Sequence, residues 1–369
     1  MTGDPAAGGT PSGRWDGLIG AFRSGRRQAL ARAISVVEGD RPGAHELLAA
    51  LLTQPPRARR IGITGPPGAG KSSLVAALAT RMRDRGEEVA VVAVDPTSPY
   101  SGGALLGDRI RMNDLSTDPG MFIRSMATRG SLGGLAAKTR EVVDLMDVFG
   151  FPRVIVETVG VGQTELEITT AADSVAVVLV PESGDSVQAM KAGLMEIADL
   201  FVVNKSDRPG ADRLMRDLGQ ALHLRAGRGL ANVPAHHGVD LREVGRSGRA
   251  LQGDGSASPA TGELQAWEIR VLKTSAGRGE GLEDFESALD DHYRHLVASG
   301  ELEQRRLTRA RDRIRDVLLR RMAAWGRSAM EAEPELDKWV ARVASGETTP
   351  YAVVDRILGA ILEGDGPAA

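Results

Sequence analysis

The 369-residue chain contains no cysteine. A disulfide framework and a thiolate metal site are therefore excluded, and the absence fits a reducing compartment. Aromatic residues make up only 4% of the chain, which weighs against a nucleic-acid reader. An excess of one charge is missing too. Lys+Arg number 46 and Asp+Glu 49, a formal net charge of -3, so affinity for phosphate must come from a local site and not from a basic field. No apolar run is long and charge-free enough for a membrane span. Residues 1–13 are rich in Gly, Ala, Pro and Thr and lack the basic start and apolar core of a secretory signal. The expectation is a soluble cytoplasmic protein that binds neither nucleic acid nor membrane.

With 42% hydrophobic residues, the chain can build one large domain with extensions, or two domains. Residues 1–13 read as a disordered tail. From Trp15 to about Thr53 the apolar spacing is helical, broken between Gly39 and Gly43 by a turn containing Pro42. An α/β rhythm follows. Short apolar runs at Arg60–Thr64, Val89–Val94, Val154–Val156, Ser174–Val180, Leu200–Val203 and Glu268–Leu272 predict six strands, the densest of them buried on both faces. Helical segments between them, such as Leu74–Met82, imply a mostly parallel sheet wrapped by helices. The glycine- and serine-rich stretch at about 225–262 reads as a flexible insertion. From Leu282 the pattern is helical again. An arginine-rich stretch from Leu302 to Met322 has Leu302, Leu307, Ile314, Val317 and Leu318 as its expected buried face and its charges as a solvated face.

Gly65-Pro66-Pro67-Gly68-Ala69-Gly70-Lys71-Ser72, followed by Ser73, matches G-x-x-x-x-G-K-[ST] between a predicted strand and a predicted helix. Glycines let backbone N–H groups converge on phosphate oxygens, and the helix adds the positive end of its dipole. Lys71 is expected on the β- and γ-phosphates and Ser72 on Mg²⁺. This motif alone leaves open ATP or GTP, kinase or hydrolase.

Asn204-Lys205-Ser206-Asp207 follows the predicted strand Leu200–Val203 and has the form N-K-x-D. A carboxylate at Asp207 can accept both the N1–H and the exocyclic amine of guanine, whereas adenine offers no such donor pair. Asn204 is expected to brace the base and the loop, with the Lys205 stem against the ring. After the sixth strand comes Lys273-Thr274-Ser275-Ala276, a Ser-Ala pair placed to offer a backbone N–H to the guanine oxygen.

Asp95 follows the strand Val89–Val94, where a carboxylate faces the ligand crevice and can hold Mg²⁺ directly or through water. Asp108 is a second metal candidate, with a helix cap as the alternative. Glu157-Thr158-Val159-Gly160 stands where Asp-x-x-Gly is common. Its acid can bind a metal water, and the Gly160 N–H can sense a γ-phosphate. Gln163 is a candidate for positioning water. Arg124, Arg129 and Lys191 are candidates for balancing transition-state charge, with ordinary surface cations as the alternative.

Taken in order, the phosphate loop, Val94-Asp95-Pro96-Thr97-Ser98, Gly107-Asp108-Arg109-Ile110-Arg111-Met112, Thr128-Arg129-Gly130-Ser131-Leu132-Gly133-Gly134, Glu157 to Gln163 and Asn204 to Asp207 resemble the MeaB/ArgK-type GTPases. These are chaperones of adenosylcobalamin-dependent acyl-CoA mutases, with methylmalonyl-CoA mutase as the best-known client. The resemblance runs from about Trp15 to about Leu362. It implies a P-loop GTPase fold, a homodimer with helical arms at both chain ends, and a low GTPase rate raised by the client. It also implies gating of cobalamin delivery and protection of the client enzyme. Asp95, Asp108 and Glu157 match the metal-site acids, and Gln188 and Lys191 match a switch region that couples client to hydrolysis. The implied organisation is a helical extension at 14–55, a GTPase domain at 56–281 and a helical dimerisation region at 282–369. Lys71, Asp108, Glu157 and Lys191 are the expected catalytic residues; the ligands are GTP or GDP with Mg²⁺, and no tightly bound redox cofactor is expected. An old label on some relatives, kinase of an amino-acid transport system, finds no support in these motifs.

Three rivals remain. A nickel-insertion GTPase needs soft ligands, but the six histidines do not cluster near the switches, and His292 and His295 read as surface residues. A P-loop small-molecule kinase would have no need of Asn204 to Asp207. A nucleic-acid-associated GTPase fits neither the charge nor the aromatic content.

Overall fold

The computed structural model describes residues 13–96, 114–128, 134–158, 167–181, 193–225 and 266–362. They fall into two compact units, residues 1–305 and 306–369.

The first unit is built on a seven-stranded sheet. In chain order the strands are β1 (Arg59–Thr64), β2 (Val89–Pro96), β3 (Met121–Thr128), β4 (Arg153–Thr158), β5 (Ser174–Leu179), β6 (Leu200–Val203) and β7 (Arg270–Lys273). Their spatial order is β3-β2-β4-β1-β5-β6-β7, and every pairing is parallel. Successive side chains of a strand point to opposite faces, and both faces here are covered. Ala90, Val92, Val94, Val154, Val156, Val175 and Val177 join one core; Val89, Val91, Ile155, Ala176 and Val178 join the other. That two-sided burial is why these segments read as continuous apolar runs.

Three helices form the leader: α1 (Asp16–Arg23), α2 (Arg27–Glu38) and α3 (Ala44–Leu51). Leu30, Ile34 and Leu47 bury fully in the first core. Trp15 Nε1 donates to the Gly43 carbonyl at 2.9 Å and closes the leader on itself. Among the described residues, the further helices of this unit are α4 (Lys71–Asp84), α5 (Gly134–Phe149), the short α6 (Leu194–Ile197), α7 (Ala211–Arg225) and α8 (Leu282–Ser299). α4 and α8 supply Leu74, Leu78, Phe285 and Leu289 to the second core. A 3₁₀ turn at Ile168–Thr170 presses on β1 where Gly62 leaves room: a Cβ there would stand 2.8 Å from Ile168.

β3 was not among the six predicted strands. It lies at the edge of the sheet, and Arg124 and Ser125 interrupt its apolar pattern. The sequence candidacy of Arg124 for transition-state charge is also corrected. Its guanidinium pairs with Glu38 of α2, so it ties the leader to the sheet edge. Arg27 of the same helix donates to the Met121 carbonyl and pairs with Glu88.

At the amino ends of the strands a second set of charges is buried. Asp199 accepts two bonds from Arg305, at 2.8 and 3.0 Å, and one from the Val175 N–H at 2.8 Å. His292 is fully buried; Nδ1 is 2.8 Å from Ser174 Oγ and Nε2 is 3.3 Å from Asp199. The surface reading of His292 is thus overturned: it is a core residue of α8 that joins the starts of β5 and β6.

The second unit is helical. α9 (Glu301–Ala332) runs into it, followed by α10 (Leu336–Ala344) and α11 (Pro350–Leu362). The apolar face expected to be buried on α9 is open in the single chain: Leu307 is 56%, Ile314 71% and Leu318 55% exposed, and Val317 is exposed as well. Met322, Met330, Val340, Tyr351 and Val354 are exposed too. No helix among the described residues is long and apolar enough to cross a membrane.

Candidate nucleotide-binding site

The sheet order places a switch point at β1. From it the chain passes to β2, β3 and β4 on one side and to β5, β6 and β7 on the other. In such sheets the crevice at the carboxyl ends of the strands is the ligand site. The motif residues gather there: Thr64 ends β1, Thr158 ends β4, Asn204 follows β6 and Thr274 follows β7.

The phosphate loop leaves β1 at Gly65 and enters α4 at Lys71. Two of its glycines are required by space as well as by dihedral angle. Gly65 has φ +136°, and a Cβ there would stand 2.1 Å from the Val178 carbonyl oxygen; Gly70 has φ +82°, and a Cβ would stand 2.5 Å from Asn204 Nδ2. The ammonium of Lys71 is buried under the loop and donates to the carbonyls of Gly65 and Pro66 at 2.7 and 2.9 Å. Pro67, Gly68 and Ser73 are exposed at the mouth, while Ala69 is buried.

At the second residue of α4, Ser72 Oγ donates to Glu157 Oε1 at 2.7 Å; both residues are buried. Beside them Thr158 Oγ1 donates to Thr64 Oγ1 at 2.7 Å. A hydroxyl and a carboxylate that meet at a helix start supply the hard oxygen donors that suit Mg²⁺. Asp95 lies on the last turn of β2 in register with Ala127; its side chain is outside the described residues, as are Asp108, Arg129, Gly160, Gln163, Gln188 and Lys191. Among the described residues no group of three or more His, Asp or Glu gathers into a metal site.

The base-reading loops are stitched to the phosphate loop. Asn204 is almost fully buried; its Nδ2 donates to the Ala69 carbonyl at 2.9 Å. Its Oδ1 accepts from Thr274 Oγ1 at 3.2 Å and from the Ala276 N–H at 3.1 Å. Lys205 Nζ donates to the Gly68 carbonyl at 2.8 Å, and the residue holds φ +54°, a left-handed value that is unusual outside glycine. Asp207 Oδ1 accepts from Ser275 Oγ at 2.8 Å, and Arg278 Nη2 lies 3.5 Å from Oδ2. The Ser275 hydroxyl, with Arg278 and Arg208 nearby, holds the Asp207 carboxyl below its ordinary range, so it is ionised and acceptor-only at neutral pH.

Two contributors escaped the motif reading. In the sequence Thr274 is only a neighbour of the Ser-Ala pair, yet its hydroxyl orients Asn204. Arg278 carried no signal, since a cation in a Gly-rich turn reads as solvated.

Comparisons with known proteins agree with this geometry. Residues 30–331 match the family model described as methylmalonyl Co-A mutase-associated GTPase MeaB. A protein of Pyrococcus abyssi (strain GE5 / Orsay), named as a GTPase, is 40% identical over 349 residues, covering 95% of this chain and 97% of that protein. The mitochondrial methylmalonic aciduria type A homolog of Mus musculus is 30% identical over 362 residues, covering 94% of this chain and 79% of that protein. A solved structure described as an LAO/AO transport system kinase is 26% identical with a TM-score of 0.59, covering 94% of this chain and 97% of that one.

Proposed function

Because the chain belongs to the MeaB family of P-loop GTPases and is a GTP hydrolase, we propose that it serves as the GTP-driven chaperone of a B12-dependent acyl-CoA mutase, with methylmalonyl-CoA mutase as the client. In this reading, GTP turnover gates cobalamin loading and protects the client from inactivation. The observation that carries the nucleotide half is the bond from Asn204 to Ala69, which makes the base-reading loop and the phosphate loop one body.

The roles follow from the chemistry of each group. Asp207 takes the two donors of guanine's reading edge. Asn204 holds the reading loop on the phosphate loop, and the Ala276 N–H, bonded here to Asn204 Oδ1, would turn to the guanine oxygen when the base binds. The N–H groups at the start of α4 face the phosphates, where negative charge is favoured. Lys71 carries the compensating positive charge to the β- and γ-phosphates. Ser72 and Glu157 would hold Mg²⁺ together with Asp95 and Asp108, and the ion would neutralise charge between the phosphates. Gly160 senses the γ-phosphate, and Lys191 passes the client's binding to the site.

The carrier of dimerisation in this proposal is the open apolar face of α9 to α11, where a second copy would remove Leu307, Ile314 and Leu318 from water. The reading is tested by co-purification with candidate B12 mutases, and by GTP turnover with and without each. Stimulation by methylmalonyl-CoA mutase is expected. Turnover indifferent to every B12 mutase, with none retained, would refute the chaperone role while leaving the GTPase intact.

A further inference from the structure

The turn after β7 is more rigid than its glycine content suggests. Ser275 and Glu280 close it as an antiparallel bridge, with the Ser275 N–H donating to the Glu280 carbonyl at 3.0 Å and the Glu280 N–H returning to Ser275 at 3.3 Å. The Arg278 N–H donates to the Ser275 carbonyl at 2.9 Å inside that bridge. Gly281 can close the turn only without a side chain, because a Cβ there would stand 2.0 Å from the Lys273 carbonyl oxygen. The Ser206 N–H is bonded to the Thr274 carbonyl at 3.0 Å, so the same turn is fixed to the Asn204–Asp207 loop. Arg278 is therefore presented from a braced turn. Its guanidinium stands 3.5 Å from Asp207 Oδ2 although the side chain is 61% exposed.

We propose that Arg278 is a positioning residue for base recognition, a counter-charge presented from a braced turn that keeps the Asp207 carboxylate aimed and ionised as guanine covers it. The proposal rests on Asp207 being the guanine reader. An ionised carboxylate has about four acceptor sites. Ser275 takes one on Oδ1, the Asp207 N–H bears on the carboxyl as well, and the two donors of the base take two more. Arg278, 3.5 Å from Oδ2, acts through its charge without filling an acceptor site. The arginine thus does not compete with guanine for the same lone pair. Before the base arrives the pair faces water and is worth little. When a base lies over Asp207, water is removed and the neighbouring positive charge gains weight. Without it, the carboxylate would enter that drier place with only the serine and the base to stabilise its charge.

Arg278 contributes to affinity through its charge and leaves the phosphates untouched, so GDP and GTP are affected alike. The experiment is GDP and GTP binding by titration calorimetry on the full chain, for the unmodified protein, Arg278→Ala, Arg278→Lys and Asp207→Ala, at low and at high salt. Arg278→Ala is expected to weaken both nucleotides by the same factor, roughly three- to tenfold at low salt. Arg278→Lys is expected to stay within about twofold of the unmodified protein, and the gap between arginine and alanine to shrink as salt screens the pair. Equal or tighter binding by Arg278→Ala, or equal losses in the alanine and lysine variants, overturns the proposal. Asp207→Ala separates the two levels. If it abolishes binding while Arg278→Ala changes nothing, only the role of Arg278 falls. If it leaves guanine-nucleotide binding intact, the assignment of the base site falls with it.

Discussion

Asn204 Nδ2 donates to the backbone carbonyl of Ala69 at 2.9 Å, a contact between residues 135 positions apart. The carbonyl belongs to the phosphate loop and the amide to the base-reading loop. A nucleotide that satisfies one loop meets the other already placed, which reduces the ordering cost of binding. Gly70 lies under the same amide: a Cβ there would stand 2.5 Å from Asn204 Nδ2.

Gly70→Ala therefore tests two requirements at once, the left-handed φ of +82° and the space beneath Asn204. The substitution is expected to lower GDP and GTP affinity by at least about fivefold, since strain and displacement together cost on the order of 1–3 kcal/mol. Fluorescent GDP titration measures it; affinity within about twofold of the unmodified protein would show that the loops are not coupled through this contact.

Ser72 and Glu157 meet at 2.7 Å in the position proposed for Mg²⁺. Ser72→Ala is expected to reduce the difference in GDP affinity between excess Mg²⁺ and excess EDTA by at least about tenfold, because one of few protein donors is lost. Binding in EDTA should change little. A Mg²⁺ dependence equal to that of the unmodified protein would remove the serine from the metal site.

Asp199 carries a pH prediction. Burial alone would raise its pKa, but the close approach of His292 and the bonds from Arg305 outweigh burial and hold it below the ordinary value. A carboxyl depressed in the folded state contributes stability that is fully present above its unfolded pKa of about 3.9 and is lost as pH falls through the folded value. Thermal unfolding should thus be insensitive to this group near neutrality and drop below about pH 4. Asp199→Asn should lower stability at pH 7 by about 3 kcal/mol, as expected for breaking a buried pair, and should flatten the acid side of the Tm profile. An unchanged acid limb in this variant would show that Asp199 does not carry it.

The second unit offers a test of assembly. Ile314 is 71% exposed and Leu318 55%, and a fully buried aliphatic side chain gains about 1.5–3 kcal/mol. Ile314→Asp with Leu318→Asp is expected to shift the proposed dimer to monomer at micromolar concentration, as read by sedimentation velocity, while unstimulated GTP turnover per chain stays close to normal. A double variant that sediments as the unmodified protein would place the dimer contact elsewhere.

Much of this fold could be read in the sequence because its strands are buried on both faces. Val89–Val94 and Ser174–Val180 have no polar interruption to disguise them. β3 was missed because it is an edge strand whose Arg124 reaches to Glu38, a partner 86 positions away. The apolar face of α9 is a different case. Its apolar spacing is that of a buried face, but spacing does not say whether the covering surface belongs to the same chain. His292 misled because burial of a polar ring depends on Ser174 and Asp199, which only the sheet brings to it. At the site, motifs with fixed spacing located Lys71, Ser72, Asn204 and Asp207. Thr274 and Arg278 act through contacts between two loops, and no local pattern records such contacts.

The central claim is that one carboxylate, Asp207, selects the base. Asp207→Asn offers an acceptor to N1–H and a donor to a carbonyl at position 2, which matches xanthine and not guanine. Competition binding of GTP and XTP to the unmodified protein and to Asp207→Asn tests it most directly. The account predicts that the variant loses GTP affinity by at least about a hundredfold and gains affinity for XTP, reversing the preference. A variant that still prefers GTP would contradict it.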